Sequence, residues 1–307
     1  MGNPDKPLRL GTRGSPLALA QAHMVRNALL VAHGWRADAI VIMPMVATGD
    51  LIQDRALAEV GGKALWTKEL DAALLAGEID LAVHSMKDVE TIRPRGLTIA
   101  AMLPRADVRD RLVGAASLDA LPKGARVGTS APRRRAQLLM LRPDLEIVLL
   151  RGNVQTRLAK LERGEVDATL LAAAGLDRLG MHDVGTALPV TQLLPAPAQG
   201  AVGIETLAQN RQMRGWLAAI NDDSTLACVS SERALLAGLA GDCRSPVAAL
   251  AVMEGNMISL CAEIYAPDGS QVERGAHVFE PGADAPFTLG KAMLGRADAA
   301  IRAVFSA

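Results

Sequence analysis

Twice along this chain a short apolar run passes through a turn of similar residues straight into a helical pattern, and that restart constrains the fold more than any other feature. Leu8 to Thr12 reads as a strand, and Ser15-Pro16 then opens a helix as N-cap and first-turn proline, running toward His33-Gly34. Ala39 to Val46 reads as a second strand, and Lys63 to Ala76 as a second helix stopped by Gly77. A third, short buried strand at Asp80 to His84 carries Leu81-Ala82-Val83 into His84-Ser85-Met86-Lys87-Asp88. The pattern then restarts with a strand at Arg126 to Thr129, and Gly128-Thr129-Ser130-Ala131-Pro132 echoes Gly11-Thr12-Arg13-Gly14-Ser15-Pro16. A helix, a strand at Leu145 to Leu150, a helix at Asn153 to Arg163 and a strand at Ala168 to Ala172 follow. Such alternation predicts two similar α/β lobes with largely parallel sheets.

Two segments, Met102 to Asp107 and the proline-rich Leu194 to Gly200, read as crossings between the lobes, so the chain is expected to return to the first lobe after completing the second. From Asp222 the pattern changes to a helix, strands at Val247 to Met253 and Met257 to Tyr265, and a final helix at Phe287 to Val304, an α+β arrangement. The expected division is therefore 1–102 with 200–220 as lobe 1, 106–195 as lobe 2 and 222–307 as a C-terminal domain. A length of 307 residues with 50% hydrophobic content is enough to fill two or three cores.

Charge narrows the partners. Lys and Arg together number 33 against 33 Asp and Glu, so no global field draws the chain to nucleic acid or a membrane surface. Seven aromatics in the whole chain argue against stacking platforms for single strands. No apolar stretch of about 18 residues exists, and Met1 to Leu10 lacks the apolar run of a signal peptide, so a cytoplasmic location is expected. Three cysteines, at 228, 243 and 261, form no CxxC pair and have no His at ligand spacing, so neither a metal nor a disulfide framework is expected.

The positive charge must act locally. Arginine outnumbers lysine 26 to 7, and Arg13, Arg133, Arg134, Arg135, Arg151 and Arg157 sit beside turn or helix-start signals. In open α/β sheets ligands bind beyond the carboxyl ends of strands, where helix N-termini also offer N–H groups. Together with Ser15, Thr129 and Ser130, these arginines can converge on an anionic small ligand in a cleft between lobes, with carboxylates and phosphates equally open. Each arginine taken alone reads as a solvated helix-start charge. Arg135 stays in that class, because three adjacent helical residues cannot all face one ligand.

Asp88, with Lys87 beside it, follows the strand built on Leu81-Ala82-Val83. A carboxylate there can accept ligand N–H bonds, protonate a leaving group or offset a cation, or can simply form a turn. Cys243 lies in Gly241-Asp242-Cys243-Arg244-Ser245-Pro246, a polar turn that leaves its thiol more exposed than a core cysteine. Cys228 and Cys261 read as packing residues. Glycines at both ends of Thr48 to Lys63 make that loop a candidate lid, or an ordinary surface connection.

With these segments in view, the chain closely resembles the hydroxymethylbilane synthase (porphobilinogen deaminase) family. The resemblance is carried by Thr12 to Leu19, Val60-Gly61-Gly62-Lys63, His84 to Val89, Val127-Gly128-Thr129-Ser130 with Arg133-Arg134, Leu150-Arg151-Gly152-Asn153, Ala174-Gly175-Leu176, Gln199 to Glu205 and the Cys243 loop. It implies lobes like those of type II periplasmic binding proteins and a monomer. It also implies a dipyrromethane cofactor joined to Cys243 through a thioether, on which four porphobilinogen units are condensed before the linear tetrapyrrole is hydrolysed off. Asp88 would assist loss of ammonia and stabilise the cationic azafulvene and the pyrrole N–H groups. Lys87, Asp88, Thr129, Ser130, Arg133, Arg134 and Arg151 would hold the cofactor. Arg13, Ser15, Arg151, Arg157 and Arg178 would bind substrate carboxylates, and Lys63 would belong to the lid.

Four positions depart from the usual family pattern: Trp66 for phenylalanine, Glu90 for proline, Pro132 ahead of the arginine pair, and Asp242 for the glycine before the cysteine. An acid beside Cys243 disfavours the thiolate, and Arg244 on its other side can compensate. A non-catalytic bilobal binder for a carboxylated or phosphorylated ligand would share the lobes and arginines, but would explain neither Cys243 nor the third domain. A cysteine hydrolase would need a His partner that the sequence does not supply.

Overall fold

Ser15 and Gly34 bound the first helix for opposite reasons. The computed structural model describes residues 4–46 and 67–305, and strand β1 (Leu8–Arg13) leads there into helix α1 (Pro16–His33). Ser15 Oγ accepts the Ala18 N–H at 3.3 Å, and Pro16 stands in the first turn, where a missing N–H is harmless. Gly34 ends the helix in the left-handed region at φ 63°, which glycine adopts without a Cβ penalty. Ala22, Val25 and Leu29 of α1 are buried with Leu10, Leu81 and Ile204.

The restart in the sequence appears as two five-stranded sheets with one strand order. The first runs β2 (Ile40–Met45), β1, β3 (Leu81–Ser85), β10 (Val202–Leu207), β4 (Leu97–Met102). The second runs β7 (Glu146–Val148), β6 (Arg126–Gly128), β8 (Ala168–Ala172), β5 (Asp110–Val113), β9 (Thr186–Ala187). In each sheet the first three strands are parallel, and the fourth is antiparallel to both its neighbours. The fold is thus two similar α/β lobes. β10 joins the first sheet only after the chain has built the second.

Helices cover both faces of the first sheet. Leu70 and Leu74 of α2 (Lys68–Leu75) meet Ala82 and Leu97 on one side. In the second sheet, Leu138 of α3 (Pro132–Leu141) packs with Val127 and Leu170, while Leu158 of α4 (Val154–Glu162) packs with Leu171 and with Leu176 of α5 (Ala173–Arg178). Met213 and Leu217 of α6 (Arg211–Ala218) return to the first core.

Among the described residues, 4–46, 67–106 and 200–226 form one compact unit, and 107–199 with 227–305 form the other. The second unit also holds an antiparallel sheet of β11 (Val247–Glu254), β12 (Met257–Tyr265) and β13 (Val272–Phe279). Leu235 and Leu239, at the end of α7 (Asp223–Gly238) and just beyond it, pack with Ile258, Leu260 and Ile264. On the opposite face Ala248 and Tyr265 pack with Ala136 of α3, while Cys261 is exposed there, not packed as expected. Cys228 is buried.

The expected final helix is two helices, α8 (Ala285–Arg296) and α9 (Ala299–Phe305). Ala297 is extended, and Asp298 starts the second helix by accepting the Ala300 N–H at 2.8 Å. The expected helix start at Lys63, the loop from Thr48 to Lys63, and Trp66 lie outside the described residues. No helix among those described is long and apolar enough to cross a membrane.

Candidate active site

β3 is flanked by β1 and β10, so its apolar residues are buried and its carboxyl end must emit the polar segment that follows. The chain leaves through one 3-10 turn, Met86–Asp88, with Met86 buried beneath. Gly203 of β10 makes room for it, since a Cβ there would stand 2.1 Å from Met86 Sδ. Asp88 emerges 35% exposed, with Arg13 Nη1 3.9 Å from its Oδ2. Lys87 is half-buried beside it, and Ser15 caps α1 by accepting the Ala18 N–H. Arg13, Ser15, Lys87 and Asp88 therefore share one unit, at the carboxyl ends of β1 and β3.

The same unit holds an ionic cluster that the sequence reading missed. Glu205 of β10 is fully buried and accepts from His84 Nε2 at 3.1 Å and from Arg93 Nε and Nη2, each at 2.8 Å. Arg93 also pairs with Asp71, and with Glu90 at 3.5 Å, so the glutamate standing in the usual proline's place has a partner. Burial raises the Glu205 pKa, but His84 and Arg93 outweigh it and hold the group at about 2. A folded value below the ordinary glutamate value of about 4.3 contributes stability that is full above that pH. The contribution fades as pH falls toward about 2. Glu205→Gln should lower stability by about 3 kcal/mol at pH 7, and melting curves of the two proteins should converge between pH 4.5 and 2; a gap constant across that range would contradict the assignment.

The second unit holds the remaining candidates. Thr129 is buried just past β6, and its Oγ1 accepts the Ala131 N–H at 3.2 Å, while Ser130 is half-buried. Arg133 and Arg134, in the first turn of α3, are 4% and 5% exposed. They stand at a helix start as expected but are not solvated; both close on Asp110 at 2.7 Å. Asp110 also accepts Gln199 Nε2 at 2.8 Å, and Arg134 Nη1 donates to the Leu170 carbonyl at 2.7 Å. The two guanidiniums hold the Asp110 carboxyl far below its ordinary range against the opposing effect of burial. Among the described residues Asp110 is their one carboxylate partner, and Arg133 Nε is buried without a partner. One buried positive charge is thus left over. Arg135 is exposed, as its place in the run predicts.

Arg151 is buried beyond β7. Gly152 follows at φ 116°, where a Cβ would meet Thr156 Cγ2 at 2.7 Å. Asn153 caps α4 by accepting the Thr156 N–H at 2.9 Å, and Arg157 Nε donates to the Gly152 carbonyl at 2.9 Å. Arg178 is half-buried at the end of α5; burial lowers its pKa, yet a guanidinium stays charged at neutral pH.

Cys243 is exposed in its turn. Asp242 Oδ1 accepts the Arg244 N–H at 2.8 Å, and its Oδ2 pairs with Arg244 Nη2 at 2.7 Å. The acid beside the cysteine is therefore already neutralised. Arg244→Ala should leave Asp242 facing the thiol and slow alkylation of Cys243 about threefold to tenfold; a thiol-reactive probe measures this, and Asp242→Gly in the same background should restore the rate. Lys63 lies outside the described residues. No cluster of His, Cys, Asp or Glu among those described could hold a metal ion.

The pattern described as "Porphobilinogen deaminase, dipyromethane cofactor binding domain" matches residues 8–215, and "Porphobilinogen deaminase, C-terminal domain" matches residues 226–295. The chain belongs to the porphobilinogen deaminase family. A relative from Sphingopyxis alaskensis named porphobilinogen deaminase is 57% identical, over 100% of this chain and 99% of its own. Another of that name from Paracoccus denitrificans is 54% identical, over 89% of this chain and 88% of its own. Among solved structures, a periplasmic substrate-binding protein of an ABC transporter from Coxiella burnetii gives a TM-score of 0.43 at 14% identity, over 74% of this chain and 96% of that one. The VFT2 domain of Bordetella pertussis BvgS gives 0.39 at 15% identity, over 74% and 91%.

Family membership makes the chain a transferase of tetrapyrrole biosynthesis with dipyrromethane as its cofactor. The residues fit that group. A surplus buried guanidinium charge and an unpartnered Arg133 Nε suit the carboxylates that each pyrrole carries.

Proposed function

We propose that the chain condenses four porphobilinogen units head to tail on a dipyrromethane held by a thioether at Cys243, releases ammonia at each addition, and then hydrolyses off hydroxymethylbilane. The observation that carries this reading is the pair of buried guanidiniums sharing one carboxylate, in the same unit as an exposed cysteine. A fixed positive surplus in the same unit as an anchoring thiol suits a covalently held polycarboxylate better than a freely exchanging one.

When bound, dipyrromethane supplies the unsubstituted pyrrole carbon to which the first unit is joined. Cys243 anchors it, and Thr129, Ser130, Arg133, Arg134 and Arg151 hold its acetate and propionate groups. Lys87 joins that set, while Arg13, Ser15, Arg151, Arg157 and Arg178 take the carboxylates of incoming porphobilinogen, with Lys63 on the lid. Asp88 accepts pyrrole N–H bonds and offsets the cation left as ammonia departs, with Arg13 3.9 Å from its carboxylate. We place the domain divisions at 102 to 106, 195 to 200 and 220 to 222, and assign the chain as a cytoplasmic monomer that binds no nucleic acid.

Incubation with porphobilinogen tests the activity. One hydroxymethylbilane should form for every four ammonia released, and Cys243→Ala should form none. Ammonia release without tetrapyrrole would reject the reading.

A further inference from the structure

Arg133 is aimed by a chain of hydrogen bonds that begins in the C-terminal sheet. Gln137 follows it by one helical turn on the same face of α3, and Gln137 Oε1 accepts Arg133 Nη1 at 2.8 Å. Gln137 Nε2 donates to the Leu194 carbonyl and to Tyr265 Oη, each at 3.0 Å. A carbonyl can only accept, so the amide has one orientation, with its oxygen turned to the arginine. Tyr265, the single tyrosine of the chain, ends β12 fully buried and donates its hydroxyl proton to Glu263. Burial and Glu263 push its pKa well up, so the phenol stays protonated and its lone pair remains available to Gln137. Glu263 is fixed in turn by Arg274 Nε at 2.8 Å, and the phenol packs with Ala136 and Ala248, which join α3 to that sheet.

We propose that Tyr265 and Gln137 are positioning residues that set the direction of Arg133 toward the cofactor, so that the arginine is oriented from the same sheet that the Cys243 turn leads into. This rests on the assignment of Arg133 to the cofactor made above. Arg133 has Nη1 turned to Gln137 and Leu194 and Nη2 to Asp110. Three acceptors on two nitrogens fix the guanidinium plane, and with it the direction in which the unpartnered Nε points. Without the Tyr265 hydroxyl, Gln137 keeps Leu194 but loses the bond that holds its amide in place from the sheet side.

The test follows cofactor loading directly. Full-length protein made in a host that produces no porphobilinogen is given porphobilinogen, and the dipyrromethane adduct is timed by intact mass at 25 °C, with a melting curve for each variant. Tyr265→Phe should load about fivefold more slowly, and Gln137→Met about tenfold or more. The double variant should be no slower than Gln137→Met, because both act through one bond chain. A role in packing alone would lower the melting temperature and leave loading unchanged, which overturns the proposal, as does a double variant whose losses add in full. Arg133→Leu separates the two levels. Wild-type loading by that variant would overturn the cofactor assignment and the relay with it. Slow loading by Arg133→Leu alongside wild-type loading by Tyr265→Phe would overturn the relay alone.

Discussion

Asp88→Asn should bind porphobilinogen with little change in KM and lose about 10²–10⁴-fold in kcat. Asparagine keeps the size of the side chain and one acceptor oxygen. It discards the negative charge that a departing ammonia and a developing cation require. The position makes this charge specific: Asp88 stands on the turn emitted by the central β3, 35% exposed, with Arg13 3.9 Å away. Exposure to that extent makes a purely structural role weak, so the variant should melt close to wild type. Steady-state kinetics and a melting curve together check this, and a fall in kcat of less than tenfold would return Asp88 to the class of turn-forming aspartates.

Removal of Asp110 should act on the fold. Asp110→Ala leaves Arg133 and Arg134 buried with no carboxylate among the described residues within ion-pair distance. Breaking a buried ion pair from one side costs about 3–5 kcal/mol, because the stranded charge cannot reach water. Here two charges are stranded. The loss should therefore reach the upper end of that range, read as a lower midpoint in urea, and a second substitution, Arg134→Met, should recover part of it by removing the surplus. A loss below about 1 kcal/mol would mean that the guanidiniums find solvent or another anion, and the picture of a buried positive surplus would be wrong.

The echo between Gly11 to Pro16 and Gly128 to Pro132 was a sound guide to the fold, because strand-to-helix turns demand particular residues and both lobes use them. β5 and β10 were not legible. Asp110-Arg111-Leu112-Val113 is too short and too charged to read as a strand, and β10 joins a sheet whose other strands lie far back in sequence. The site divided in the same way. Cys243 and Asp88 stood in turns where local residues explain their exposure. The arginine pair stands at a helix start as read, but it is buried and not solvated, because its partner Asp110 lies 23 and 24 residues away. Glu205 and Gln199 stood inside a motif that carried the family resemblance, yet their partners His84, Arg93 and Asp110 come together only in the folded sheets. Cys261 was misplaced because alternation reports which residues share a face and not how far along the strand that face is covered.

Intact-mass measurement of the purified, active chain tests the central claim most directly. An added mass equal to one dipyrromethane is expected, located on the peptide that contains Cys243 and absent from Cys243→Ala. A fully active chain of unmodified mass would contradict it.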